Sequence, residues 1–317
     1  MNTMLVCASH SPLMLVDMPP SSPDSQAFFT HIEATRKRVE AFDPELVVVF
    51  GPDHFNGFFF DLMPSFCIGA AAETTEDWSL PKVALNVPQD IAMDCINSVR
   101  DDDIDVALSW NMRADHGISI ALKQFGGRPD RYAVLPIFIN CAAPPRPSFR
   151  RSRLFGAAVG KYLGTLNKRV LIVASGGVSH DPPTPRFEGA PLPLRQRLVD
   201  RHVASHEELQ KRETRVIAAA NALVKGQGPC LPPNEAWDKA FMQKLLGGNE
   251  QDMDAITDAE IDREAGFGGH EVRTWVAAFA AMREFGKFEA NLDYYRVVPE
   301  WITGMGLITG ETAGGRA

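Results

Sequence analysis

The sequence predicts a three-layer αβα fold: a mainly parallel central sheet covered by helices on both faces, with helical additions in the C-terminal half. Three observations predict it. Four short runs, residues 4–8, 46–50, 132–139 and 169–174, are continuously apolar and rich in β-branched side chains, as strands buried on both faces are. Segments of helical periodicity alternate with them, which is the pattern of βαβ units and a parallel sheet. Each run ends in turn residues, and three of the turns deliver a histidine: His10, His54 and His180.

In chain order, strand 4–8 runs into Ser9-His10-Ser11-Pro12, and a helix is predicted over 25–42. Strand 46–50 runs into Gly51-Pro52-Asp53-His54. A weaker strand at 83–87 stops at Pro88, and helices are predicted over 88–100 and 117–125. Strand 132–139 leads to Asn140, and the Pro/Arg-rich stretch 144–153 reads as a loop entering a helix over 148–166. Strand 169–174 leads into Ser175-Gly176-Gly177-Val178-Ser179-His180. After it come a long charged helix or broken pair over 194–225 and helices at 234–246, 257–265 and 269–285. There is no internal repeat and no linker, so residues 1–317 are expected to form one domain with a frayed tail over about 311–317.

Composition sets the class. Hydrophobic residues make up 45% of the chain and charged residues 23%, as in an ordinary globular protein. The net charge of −8 argues against a nucleic-acid partner but leaves room for a local cation that binds an anionic substrate. Five cysteines, an odd number with no CxxC pair, suit buried thiols in a reducing compartment. The start has no signal-peptide pattern, and no apolar run could span a bilayer, so a cytoplasmic protein without a membrane partner is expected.

The eight histidines carry the functional signal. Ligands of open α/β sheets bind outside the carboxyl ends of the strands, so His10, His54 and His180 are aimed at one edge. His116, in Arg113-Ala114-Asp115-His116-Gly117, precedes a helix on the same side. One such histidine is as often an ordinary hydrogen-bonding loop residue; four together favour a site. Asp53, Asp115 and Asp181 are adjacent and could orient imidazoles, although sequence neighbours often point apart. His202 and His206 would share a helix face, but without the glutamate of a zinc protease they read as a solvated face. His31 reads as a surface residue, and of His270 and Glu271 only one is expected to face inward. Two histidines and a carboxylate can hold Fe(II) with three positions open, and further imidazoles can move protons near neutral pH.

With Gly268-Gly269-His270-Glu271-Val272-Arg273-Thr274-Trp275, these blocks resemble the class III extradiol catechol dioxygenases, in that family's order and over nearly the whole chain. The resemblance implies that His10, His54 and Glu271 bind Fe(II), that His180 accepts a proton from the catechol, and that His116 donates one as the O–O bond breaks. It implies a homo-oligomer, a tetramer or larger, and ring cleavage beside the two hydroxyls with both atoms of O₂ inserted. The expected substrate is 3-(2,3-dihydroxyphenyl)propionate, and 2,3-dihydroxycinnamate as an analogue. Glu271 rests on the resemblance alone, since composition does not choose it over Glu264, Glu300 or Asp53. A propionate tail needs a cation, for which Arg273 and then Arg113, beside the matched blocks, are the expected residues. The rival readings are a zinc-dependent hydrolase and a non-catalytic binding protein on the same fold.

Overall fold

The computed structural model describes residues 2–312. In chain order it contains β1 (Thr3–Ala8), α1 (Pro23–Phe42), β2 (Leu46–Gly51), β3 (Phe66–Gly69), β4 (Ala72–Thr74), α2 (Gln89–Asp101), β5 (Ala107–Ser109), β6 (Met112–Ala114), α3 (His116–Gly126) and β7 (Val134–Ile139). There follow α4 (Phe149–Leu163), β8 (Val170–Ser175), α5 (Leu192–Val199), α6 (His206–Val224), α7 (Glu235–Leu246), α8 (Asp258–Glu264), α9 (Val272–Arg283), β9 (Phe288–Val298) and β10 (Thr303–Thr312).

Eight strands form one sheet in the order β5-β3-β7-β2-β8-β1-β10-β9, and β4 pairs with β6 separately. The centre, β7-β2-β8-β1, is parallel, with Leu46 and Thr3 both opposite Val170. All four of these strands are buried along their full length, which is why they read as unbroken apolar runs. One face is covered by α2, α4 and α9 through side chains such as Cys95, Phe155 and Val276. The other is covered by α1 and α3, with Phe28, Ile32 and Ile118. Helix starts follow local chemistry: Ser22 caps α1 in a reciprocal box with Ser25, and Asp115 caps α3 by accepting from the Gly117 N–H.

Several expectations are corrected. Residues 83–87 form no strand; only an isolated bridge joins Ala84 to Glu73. The segment 194–225 is a broken pair, α5 and α6, so His202 precedes a helix that begins at His206 and the two share no helix face. The C-terminal part is less purely helical than expected, because β9 and β10 form an antiparallel hairpin that extends the sheet beside β1. Half-exposed β9 lacks an unbroken apolar run, and β10 carries Gly304, Gly306 and Gly310, which lower strand propensity. Glu311 and Thr312 are not frayed: they pair with Met4 and Glu289, and with Phe288. Residues 313–317 of the expected tail lie outside the described residues.

Candidate metal centre and active-site cavity

The parallel centre of the sheet decides where the histidines meet. Strands β2, β8 and β1 are neighbours, and His54, His180 and His10 follow their carboxyl ends. His116 opens α3, and Glu271 ends a short 3₁₀ turn, Phe267–Glu271, that leads into α9. A side chain at Gly268 would collide with the His180 ring, its Cβ only 2.2 Å from Nε2, so this turn needs a glycine to bring Glu271 in.

Each imidazole is held through Nδ1. His10 Nδ1 lies 3.0 Å from Ser175 Oγ, His54 Nδ1 donates to Asp115 Oδ2 at 3.0 Å, and His180 Nδ1 donates to the Val178 carbonyl at 2.8 Å. His116 Nδ1 donates to Asp77 Oδ2 in a short contact. With Nδ1 occupied, Nε2 is the free atom. Three of these atoms surround the Glu271 carboxylate: His54 Nε2 is 3.1 Å and His180 Nε2 3.4 Å from Oε1, and His10 Nε2 is 3.8 Å from Oε2. The Gly177 N–H fixes Oε2 at 2.8 Å. The rings of His54 and His116 stack at 4.1 Å, and His10 meets both edge-on.

The electrostatics suit a cation. Burial works against ionising Glu271, but His180 and His10 hold its carboxyl well below the usual range. Burial and neighbouring imidazoles take His10 down to about 3, against the pull of Glu271, so it is a neutral donor. His54 is raised despite burial, because Asp115 and Glu271 face it. Two groups of ligand atoms are close enough for one ion among the described residues, His10 with His54 and His116, and Asp77 with Asp115 and His116, while Glu271 reaches His54 Nε2 at 3.1 Å and His10 Nε2 at 3.8 Å. Asp77 and Asp115 are engaged with His116 and His54, so Glu271 is the carboxylate beside His10 and His54 that can offset a metal's charge.

The neighbouring aspartates have separate jobs. Asp115 hydrogen-bonds His54 rather than the His116 ring beside it in sequence, whose Nδ1 is 3.8 Å away: Oδ2 takes both the ring and backbone N–H of His54. His116 is served instead by Asp77, which sequence reasoning missed, as it lies 39 residues away and no motif surrounds it. Asp53 accepts the backbone N–H groups of Asn56, Gly57 and Phe58, and burial beside Asp115 pushes it up to about 8. Asp181 ties Leu231 and Phe267 to Arg186. Neither of these two touches a site imidazole.

The four histidines and Glu271 line one cavity of about 110 Å³, against roughly 10–15 Å³ for one water, so it has room for an organic ligand. Its apolar wall includes Leu13, Trp78, Leu209, Val216, Trp301 and Ile302. Arg273 does not reach it. That side chain is fully buried, donates to Pro147 O and His270 Nδ1, pairs with Asp258, and stacks on Phe149. Arg113, on β6, is also absent from the cavity wall. The cavity's arginines are Arg212 and Arg215 on α6. His270 turns away to Asp262 and Arg273, as expected if Glu271 faces inward. His202 and His206 contact Glu208 and Gln210 on the surface, and His31 packs beside Tyr294.

Comparison with known proteins places this geometry. Residues 4–306 match the family described as the catalytic LigB subunit of aromatic ring-opening dioxygenase. A Cupriavidus pinatubonensis protein named 2,3-dihydroxyphenylpropionate/2,3-dihydroxicinnamic acid 1,2-dioxygenase is 46% identical over 310 residues, covering 98% of each chain. Relatives with the same name are 46% identical in Paraburkholderia xenovorans, over 96% of each chain, and 44% identical in Klebsiella pneumoniae, over 98% of this chain and 99% of that one. The solved structure of an uncharacterized Escherichia coli K12 protein aligns over 96% of this chain and 98% of its own with a TM-score of 0.47 at 15% identity, too distant to add to the argument. The chain belongs to the LigB family of aromatic ring-opening dioxygenases, metal-dependent enzymes that cleave catecholic substrates with O₂.

Proposed function

We propose that the chain is an Fe(II)-dependent extradiol dioxygenase that cleaves 3-(2,3-dihydroxyphenyl)propionate to 2-hydroxy-6-oxonona-2,4-dienedioate, and also accepts 2,3-dihydroxycinnamate, in aromatic-compound catabolism. The names of the full-length relatives support the substrate. The observation that carries the metal site is the convergence of His10 and His54 Nε2 on the Glu271 carboxylate at one end of a ligand-sized cavity. These residues would hold the iron, and bound Fe(II) supplies adjacent positions where catecholate and O₂ meet.

The hydrogen bonds support a division of the remaining roles. A carbonyl only accepts, so His180 carries its proton on Nδ1 towards Val178, and Nε2 has the lone pair that takes a proton from the catechol hydroxyl. His116 points Nδ1–H at the Asp77 carboxylate, which fixes the ring so that Nε2 faces the cavity as the proton donor when the O–O bond breaks. Asp115 orients His54 and raises its basicity as a ligand. The apolar wall keeps bulk water from the reacting ring.

Buried free cysteines support a reducing, cytoplasmic setting. No helix among the described residues is long and apolar enough to cross a membrane. The homo-oligomer, a tetramer or larger, rests on the family resemblance.

The test is anaerobic loading with Fe(II), addition of 3-(2,3-dihydroxyphenyl)propionate, then admission of O₂. O₂ uptake matched to substrate and a yellow product are expected. Turnover with zinc and no O₂ demand would instead favour a hydrolase using the three clustered imidazoles of His10, His54 and His116. His10→Ala, His54→Ala and Glu271→Gln should lose iron, whereas His180→Gln should keep it and lose most ring opening. An empty metal site in His180→Gln would overturn this division of ligands and proton carriers.

A further inference from the structure

Helix α6 brings charge into the cavity that neither metal binding nor proton transfer uses. Arg212 and Arg215 both line it, Arg212 half-buried and Arg215 exposed. Arg212 Nη1 donates to Asn56 Oδ1 at 3.2 Å, and no ion pair to it is found among the described residues. Nearby carboxylates are engaged elsewhere. Glu213 accepts the Trp78 N–H at 3.1 Å, and Glu208 contacts Arg197 at 2.9 Å and His202 at 2.8 Å. Burial, Arg197 and Arg215 disfavour the charge on Arg212 and lower its pKa, against the pull of Glu208 and Asp53. A half-buried guanidinium with open donors, facing a cavity, suits a planar, bidentate anion.

Its position relative to the reacting end is also fixed. Asn56 Nδ2 donates to Asp115 Oδ2 at 3.0 Å, and that oxygen holds His54 Nδ1. Arg212 is thus tethered to a metal-side imidazole through Asn56 and Asp115, while Leu209 and Val216 from the same helix line the apolar wall. A ring whose hydroxyls face the histidines and whose short side chain ends in an anion matches both features.

We infer that Arg212, assisted by Arg215, binds the side-chain carboxylate of the catechol substrate and sets the enzyme's preference for acid-tailed over neutral catechols. This rests on the ring-cleaving reading above and replaces Arg273 and Arg113 as the carboxylate partner. The arginines are specificity residues: they grip the tail and transfer no proton.

The test compares 3-(2,3-dihydroxyphenyl)propionate with 3-propylcatechol, which lacks the carboxylate, on the iron-loaded full chain. Two quantities are read: kcat/KM in air and anaerobic binding by calorimetry. In Arg212→Gln the acid-over-neutral ratio should fall roughly 10- to 100-fold, mostly through KM, as loss of a charge-assisted contact predicts. Arg212→Lys should be intermediate, and Arg215→Gln should show a smaller, salt-sensitive loss. A ratio unchanged in both Gln variants overturns the inference. If Arg212→Gln folds poorly, Arg212→Lys and the salt dependence of the unaltered enzyme's preference report on the same contact. Acid-selective binding without cleavage of either catechol would sink the ring-cleaving reading and uphold the anchor; cleavage of both with no shift in preference would do the reverse.

Discussion

Replacing Asp77 with asparagine tests whether His116 is poised as a proton donor by a buried anion. Asp77 is 4% exposed, in the short turn Asp77–Ser79. Its Oδ2 faces the ring and backbone N–H of His116, and Oδ1 accepts the Thr75 hydroxyl at 2.6 Å. An asparagine can keep its oxygen towards His116 and turn its amide towards Thr75 Oγ1, which can accept, so the geometry survives and only the charge is lost. A hydrogen bond to a charged partner contributes about 1.5–3 kcal/mol and a neutral one about 0.5–1.5, so the variant loses on the order of 1–1.5 kcal/mol from the contact that holds the donating ring. That predicts a drop in kcat of roughly 5- to 12-fold with iron content unchanged. Asp77→Ala leaves the His116 donors without an acceptor and should cost more. The assay is O₂ consumption with iron measured in parallel. A kcat within twofold of the unaltered enzyme, with normal iron, would refute a positioning role for Asp77.

Two further outcomes concern the scaffold. Helices α4 and α9 touch backbone to backbone, and a Cβ at Gly156 would lie 2.1 Å from Ala277 O, so Gly156→Ala should cost about 3 kcal/mol or more, since the obstacle is main chain; a melting temperature within a degree of the parent would contradict this packing. Asp238 accepts from Ser179 and Tyr295, and burial pushes it from 3.8 up to about 6. The folded state therefore holds a proton that the unfolded chain releases at lower pH, so stability should fall as pH rises from about 4 to 6 and level off above, by at most about 3 kcal/mol. Thermal melts across that window should show the slope, and Asp238→Asn should flatten it; an unchanged slope would assign it to another group.

Legibility followed burial and sequence distance. The four central strands are covered on both faces, so all but Thr3 and Ser175 at their ends are apolar or glycine and the runs stand out. Beta10 is just as buried for most of its length, but its glycines hid it, and β9 alternates too irregularly to register. Arg273 shows the reverse: it sits next to a matched block, where a binding role is expected, yet its guanidinium is consumed by Pro147, His270 and Asp258 inside the protein.

By itself, the sequence determined the four central strands and the edge at which His10, His54 and His180 emerge, because parallel strands must present their carboxyl ends on one side. Glu271 could be named from sequence only by family resemblance. Tertiary structure alone decided what each imidazole leans on: Asp115 serves His54 rather than His116, and Asp77 serves His116 across 39 residues. It also put Arg212 of α6 in the cavity wall. Those partners come from loops and helices that no local pattern links to the strands, and only packing of the whole chain sets which side chains meet.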